Sequence, residues 1–256
     1  MNKNRRRFLS RAAASAATLA LAGCTSLSGQ KWVSDLLSQV EILTRRAQRL
    51  FAGSHALAPE FSKKDIAPVF RANGTLNPDT ASYNTHAANG FRDWRIEVGG
   101  LVERPLSISM AQLRAMPSRT QITRHDCVEG WSCIGEWTGT PLRLVLAAAR
   151  PKEGARYVVF HCADNMAGAE ETETYYYESL DLLEATHPQT LLAYELNGQA
   201  LPIEHGAPVR LRAERQLGYK MAKYVRRIEV VAYYSHIAGG RGGYWEDQGY
   251  SWYAGI

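Results

Sequence analysis

The spacing of apolar residues along the chain predicts one long amphipathic helix, followed by short strands that alternate with shorter helices. Apolar side chains recur at helical spacing over residues 31–51, which predicts the first helix. Alternating or dense apolar runs in WRIEVGGLV, ARYVVFHCA, APVRLRAE and KYVRRIEVVAYY predict strands. Shorter helices are expected at Met110–Ala115, Leu142–Ala149 and Ser179–Ala185. The pattern therefore predicts a strand-rich α+β fold.

A polar segment rich in Pro, Asn and Gly, APEFSKKDIAPVFRANGTLNPDT, follows the first helix. Apolar side chains such as Phe61 and Phe70 interrupt it, which favours an ordered loop over a flexible linker. We expect residues 24–79 to hold the helix and this extended segment. Residues 80–256 are then expected to form one domain.

The first residues carry the features of an export signal. NRRRFLS places twin arginines before an apolar run from Ala12 to Ala22, which is too short for a membrane span of about 20 residues but suits a signal peptide. The twin-arginine pathway exports proteins that have already folded. LAGC then resembles a lipobox ending at Cys24, although a plain signal peptide with a chance cysteine is the alternative. We expect residues 1–23 to be a twin-arginine signal peptide and the protein to be periplasmic, held at the membrane only by an N-terminal lipid.

The export signal changes the meaning of the net charge. The chain has 30 Lys and Arg against 25 Asp and Glu, for a formal net charge of +5. Residues 1–23 hold Lys3 and four arginines and no acid, so the remainder is electrically balanced. The basic balance therefore gives no argument for a nucleic-acid partner.

If Cys24 is lipidated, an odd number of cysteines remains: Cys127, Cys133 and Cys162. In an oxidising compartment an odd cysteine suggests a thiol with a specific task. The stretch RHDCVEGWSC allows a Cys127–Cys133 disulfide, a zinc site, or a thiol nucleophile with His125 as its base, although zinc prefers short paired spacings that are missing here. An anchor for another metal centre is the fourth possibility.

Several motifs in order decide among these alternatives. RHDCVEGWSCIGEWTGTPLRLVL, SYNTHA and HPQTLLAYELNGQALPIEHGAPVRLRAERQLGYKMAKYVRRIEVV resemble segments of the sulfite oxidase family, and the resemblance covers about residues 80–256. It is closest to the branch of periplasmic methionine-sulfoxide reductase catalytic subunits. The resemblance implies a sulfite-oxidase-type fold with one molybdenum-molybdopterin cofactor per chain and Cys127 as the metal ligand. A thiolate suits such a centre because soft metals prefer sulfur ligands.

The resemblance also assigns cofactor contacts to residues from several segments: Asn84, His86, Cys162, His205, Arg210, Lys220, Met221, Ala222 and Lys223. The basic members of this set are expected to neutralise the cofactor phosphate. Cys162 replaces a threonine of the reductase branch, which alters that contact. Arg124, His125 and Trp131 are the residues expected near the open metal position.

The implied activity is two-electron oxygen-atom transfer, in the direction of reducing an S-oxide or N-oxide, either small or protein-bound. Sulfite dehydrogenase-type oxidation and a non-enzymatic, disulfide-bonded lipoprotein module are the alternatives. The chain contains neither a C-x-x-C-H haem attachment nor a dinucleotide fingerprint. Electrons are therefore expected from a separate protein, either a membrane haem subunit or a periplasmic cytochrome.

Overall fold

The computed structural model describes residues 31–51, 53, 56–167 and 174–256. The twin-arginine motif and Cys24 lie outside these residues. The chain divides into two compact units, Met1–Phe51 and Ala52–Ile256. None of the helices in the described ranges is both long enough and apolar enough to cross a membrane.

In the first unit the described residues form helix α1, Lys31–Phe51, at the position that the apolar spacing predicts. Within its described residues the second unit contains five further α-helices: α2 (Ala81–Ala88), α3 (Met110–Ala115), α4 (Leu142–Ala149), α5 (Leu182–Ala185) and α6 (Tyr244–Asp247). Its strands are β1 (Arg95–Gly100), β2 (Leu106–Ser109), β3 (Arg119–Asp126), β4 (Ser132–Pro141), β5 (Tyr157–Asn165), β6 (Tyr175–Asp181), β7 (Leu191–Leu196), β8 (Gln199–Ala200), β9 (Arg210–Arg212) and β10 (Val225–Val231). The predicted α+β class is confirmed.

The strands form two five-stranded sheets. One has the order β2-β1-β10-β5-β6, in which only β1 and β10 are parallel. The other has the order β3-β4-β7-β8, and β9 also pairs with β7. The larger apolar core packs helix α4 and strand residues such as Phe160 and Ile228 with Leu211 of the second sheet.

The segment before α2 is ordered, as its apolar residues predict. Its backbone bonds to the β3–β4 hairpin through Phe61 N to Ile122 O at 2.8 Å and Ala67 N to Ile134 O at 3.0 Å. Phe70 is buried edge-on against Trp137, with ring centroids 5.1 Å apart. This packing fixes the start of the loop that follows Phe70.

One helix prediction is wrong in its extent. The helix expected over Ser179–Ala185 begins only at Leu182, because Ser179 and Leu180 extend β6 against Val159 and Val158 of β5. Asp181 ends the strand and caps the helix, since its carboxylate accepts from Glu184 N at 3.0 Å.

Candidate active site

Cys127 lies in the turn between β3 and β4, at the wall of a cavity of about 770 Å³ including its open mouth. Its backbone N–H donates to Trp131 O at 2.9 Å, which closes the turn. The thiol is 7 % exposed. The cavity wall is drawn from distant parts of the chain: Asn73, Gly74, Thr75, Cys127, Val128, Glu129, Asp164, Met166, Tyr176, Arg210, Gly218, Tyr219, Met221, Lys223, Trp245 and Tyr250.

The amide group of Asn73 contacts the Cys127 thiol. Asn73 Nδ2 lies 3.8 Å from Cys127 Sγ, which is within reach of an N–H···S hydrogen bond. Such a donor orients the sulfur towards one side of the turn. Asn73 is not among the residues that the sequence motifs single out, although it lies in the ordered FRANGT stretch.

Arg210 of β9 brings a buried guanidinium to the cavity. Its Nη1 donates to His205 O at 3.0 Å and its Nη2 to Met221 O at 3.2 Å. Among the described residues its Nε has no hydrogen-bond partner. Burial, and then repulsion from Arg212, lowers the pKa of Arg210 to about 9. This side chain is therefore a desolvated cation with an unused donor.

Lys223 is the second buried cation of the cavity. Its Nζ donates to three backbone carbonyls, those of Asn73 at 2.7 Å, Glu204 at 3.0 Å and Thr75. Burial, followed by repulsion from Arg210, lowers the pKa of Lys223 to about 7. Carbonyl dipoles satisfy the donors of an ammonium group but do not cancel its charge.

Two carboxyl groups line the cavity with these cations, the buried Asp164 and the solvent-exposed Glu129. Burial raises the pKa of Asp164 to about 6, and its Oδ1 has no partner among the described residues. Neither Arg210 nor Lys223 forms an ion pair within those residues. Buried charges normally occur with a counter-ion, so the cavity fits an anionic ligand.

Lys220 does not contribute to this cavity. Its Nζ donates to Glu178 Oε1 and to Glu246 Oε1, each at 2.5 Å, and all three side chains are buried. Burial alone would lower the pKa of Lys220, but the two carboxylates raise it above its usual value. Of the three basic residues expected to bind phosphate, Arg210 and Lys223 reach the cavity and Lys220 does not.

The residues expected beside the open metal position do not line the cavity either. Arg124 faces solvent and pairs with Asp126, its Nε lying 2.9 Å from Asp126 Oδ1. His125 points to the face of β3 opposite to Arg124. There Arg212 Nη1 lies 3.0 Å from its Nδ1. Burial, and then Arg212, holds the pKa of His125 well below its usual value. Trp131 packs against the His125 ring at 5.5 Å and donates to Glu129 at 2.9 Å.

These contacts also test two other roles that the sequence allows for Cys127, a disulfide with Cys133 and a nucleophile activated by His125. Within the described ranges Cys127, Cys133 and Cys162 are free thiols, so the Cys127–Cys133 disulfide is not formed. The hydrogen bond to Cys127 comes from Asn73 rather than from His125, so the structure does not form the expected thiol–imidazole pair.

Three other predicted cofactor residues lie away from the cavity. SYNTHA forms most of helix α2, which buries Tyr83 and leaves Asn84 exposed, with Asn84 Nδ2 donating to Asp79 Oδ1 at 3.0 Å. His86 and Cys162 line a separate, wider depression. Burial, and then Asp164, raises the pKa of the Cys162 thiol well above its usual value.

The remaining members of the predicted set lie close to Arg210. His205 supplies the carbonyl that Arg210 binds, and burial lowers the pKa of its imidazole to about 4. Met221 lines the cavity and its carbonyl also binds Arg210. Ala222 is buried in the apolar core beside it. This segment therefore shapes the anion-binding end of the cavity chiefly through its backbone.

A buried thiol beside two buried cations that form no ion pair among the described residues fits a soft metal bound together with an anionic cofactor. The sequence profile of the family described as oxidoreductase molybdopterin binding domain matches residues 83–237. The chain therefore belongs to this family of molybdopterin-binding oxidoreductases, the sulfite oxidase family that its motifs indicate. It is a molybdenum-dependent oxidoreductase with a molybdenum-molybdopterin cofactor, and the alternative of a non-enzymatic module is wrong.

Curated relatives are similar over different lengths. A candidate protein-methionine-sulfoxide reductase subunit, YedZ1 of Azospira oryzae, is 36% identical over 98% of this chain and 87% of its own length. The protein-methionine-sulfoxide reductase catalytic subunit MsrP of Ralstonia nicotianae is 34% identical over 72% of this chain and 62% of its own. MsrP of Xanthomonas axonopodis pv. citri is 41% identical over 54% of this chain and 45% of its own.

Proposed function

We propose that this protein reduces the S-oxide of methionine in polypeptides, with molybdenum-molybdopterin bound in the cavity beside Cys127. The observation that carries the proposal is the combination of a buried thiol with two buried cations, Arg210 and Lys223, that form no ion pair among the described residues. The names of the relatives supply the direction and the substrate class, since they are named protein-methionine-sulfoxide reductases.

Each residue of the site has a role in holding this centre. When bound, the cofactor supplies a metal that accepts an oxygen atom and cycles by two electrons. Cys127 is the protein ligand to the metal, and the Asn73 amide orients its sulfur. Arg210 and Lys223 bind the phosphate, the first with its free Nε and the second as a point charge. The overall reaction joins an S-oxide, two protons and two electrons to give a thioether and water.

The electrons come from a separate protein, either a membrane haem subunit or a periplasmic cytochrome. The sequence has no haem-attachment or dinucleotide motif, and the relatives are themselves named as subunits.

The leader sequence favours twin-arginine export to the periplasm and a lipid on Cys24. Fractionation tests this: Cys24→Ala should release the protein from the membrane into the periplasm, and a wild-type protein that is already soluble there would contradict the lipid anchor.

Assays in both directions test the function. Purified protein with about one molybdenum per chain should reduce a methionine-sulfoxide peptide with a reduced viologen dye, because such a donor delivers electrons one at a time. It should show no turnover with NADH. Sulfite with an oxidised one-electron acceptor is the matched assay of the opposite reaction. Robust sulfite oxidation without S-oxide reduction would overturn the proposed direction and leave the family assignment intact.

A further inference from the structure

The end of the chain builds part of the cavity wall. The family profile matches residues 83–237, but Trp245 and Tyr250 beyond that match line the same cavity as Cys127. Together with Tyr219 they form a continuous aromatic surface, which we call the aromatic rim. The Tyr250 ring lies 5.2 Å from the Tyr219 ring, edge to face, and 5.4 Å from the Trp245 ring, stacked.

The aromatic rim lies at the open end of the cavity. Tyr250 is 39 % exposed, and Val128, directly after Cys127, is 46 % exposed, whereas Arg210 is only 2 % exposed. The cavity therefore has a buried end that carries Arg210 and Lys223 with Asp164, and an open end that the aromatic rim and Val128 line beside the exposed Glu129; Cys127 lies in its wall. A phosphate-bearing cofactor suits the first end, which leaves the second for the substrate.

A surface groove continues outward from this open end. It shares Val128, Tyr219 and Tyr250 with the cavity and extends past Ser251 and Tyr253. No Asp, Glu, Lys or Arg is among the residues that line it. The groove is therefore suited to a neutral, extended segment of polypeptide rather than to a small anion such as sulfite.

The aromatic rim is held in place before any substrate arrives. Tyr219 Oη donates to Ser251 O at 2.7 Å, and Leu217 N donates to Ala254 O at 2.9 Å. Helix α6, which carries Trp245, is tied by Glu246 to the buried ammonium of Lys220. Preorganised aromatic groups bind with little loss of conformational entropy.

We propose that the aromatic rim and its groove determine the substrate specificity of this enzyme, an inference that rests on the proposed S-oxide reduction. The methyl and methylene groups beside the sulfoxide pack on Trp245, and the flanking peptide lies along Val128, Tyr250 and Tyr253. The methyl and methylene groups beside the sulfoxide remain apolar, and such groups bury favourably against aromatic rings. Lys220 acts as a positioning residue for this surface, because it fixes the helix that carries Trp245.

The test compares a peptide substrate with a minimal one. For Tyr250→Ala we expect kcat/KM to fall about tenfold for a blocked pentapeptide with a central methionine sulfoxide, nearly all of it in KM, because an aromatic contact is lost. Dimethyl sulfoxide, which is too small to reach the groove, should change by less than about twofold. Tyr250→Phe should keep the wild-type KM because the ring remains. Tyr233→Ala, an exposed tyrosine outside both the cavity and the groove, is the matched control.

A second variant and a binding measurement guard against a folding defect. Val128→Glu places a charge at an exposed position of the groove and should raise the peptide KM in the same selective way. Calorimetric titration with the corresponding methionine-sulfone peptide should show weaker binding to both variants at unchanged molybdenum content. Equal losses for the peptide and dimethyl sulfoxide, or no loss for the peptide, would overturn the specificity role alone. A wild-type protein that reduces no S-oxide would overturn the proposed function as well.

Discussion

Replacement of Cys127 by serine is expected to abolish turnover while the protein remains folded. The serine hydroxyl stays protonated near neutral pH and is a poor ligand for a soft metal, so the metal loses its protein anchor. We expect kcat for an S-oxide to fall by more than about 100-fold, since even indirect partners of metal ligands are worth 10- to 100-fold. Activity with a reduced dye, pterin content and molybdenum content are the measurements.

The matched control is Cys133→Ser. Cys133 is also buried, but its thiol contacts Val69 O at 3.6 Å in the smaller apolar cluster and does not line the cavity. This variant should keep its molybdenum and most of its activity. If Cys133→Ser were inactive and Cys127→Ser active, the metal ligand would be Cys133, and our assignment of Cys127 would be wrong.

Lys223→Met is expected to cost cofactor binding. The variant keeps most of the side-chain volume but removes one of the two cations that we propose bind the phosphate. Leaving a buried charge without its partner costs on the order of 3 kcal/mol, which corresponds to more than about 100-fold in affinity. Pterin and molybdenum content measure the loss, and Lys152→Met, at an exposed lysine, is the control. Normal cofactor content in Lys223→Met would refute the phosphate role.

The same variant should change how the stability of cofactor-free protein depends on pH. Burial lowers the pKa of Lys223 to about 7 in the folded state, against its usual value of 10.5. The unfolded state therefore binds more protons between these values, and this group favours the folded state more as the pH rises from about 7 to 10. Denaturant unfolding at several pH values should show this slope in the wild type and its loss in Lys223→Met. If the free energy of unfolding depended on pH in the same way in both proteins, the pKa of Lys223 would not be lowered by folding.

The elements that the sequence predicts well are those whose signals are local. Helix α3 has a capping box, in which Ser109 and Gln112 bond reciprocally, and it begins and ends where its pattern predicts. The predicted helix over Ser179–Ala185 is wrong at its start because pairing with β5, a distant partner, decides the conformation of Ser179. Local spacing cannot report such a partner.

The residues of the site also differ in how far their roles can be predicted from local sequence. The motifs identify Cys127, Arg210 and Lys223, and these three line one cavity. They do not reveal that the partners of Lys220, Glu178 and Glu246, lie 42 and 26 positions away and neutralise it. Two lysines of one motif therefore differ in role: Lys223 lines the cavity, whereas Lys220 forms a buried ion cluster.

The buried contacts of residues 238–256 also bear on where this protein can be cut. Trp252 donates to Ser179 Oγ at 2.8 Å and packs on Tyr157, while Glu246 shares the charge of Lys220 with Glu178. A fragment that stops where the family profile stops, at residue 237, would expose these aromatic surfaces and leave the buried ion cluster short of one carboxylate. The part of the chain that the family profile matches is therefore shorter than the part that packs together as one unit.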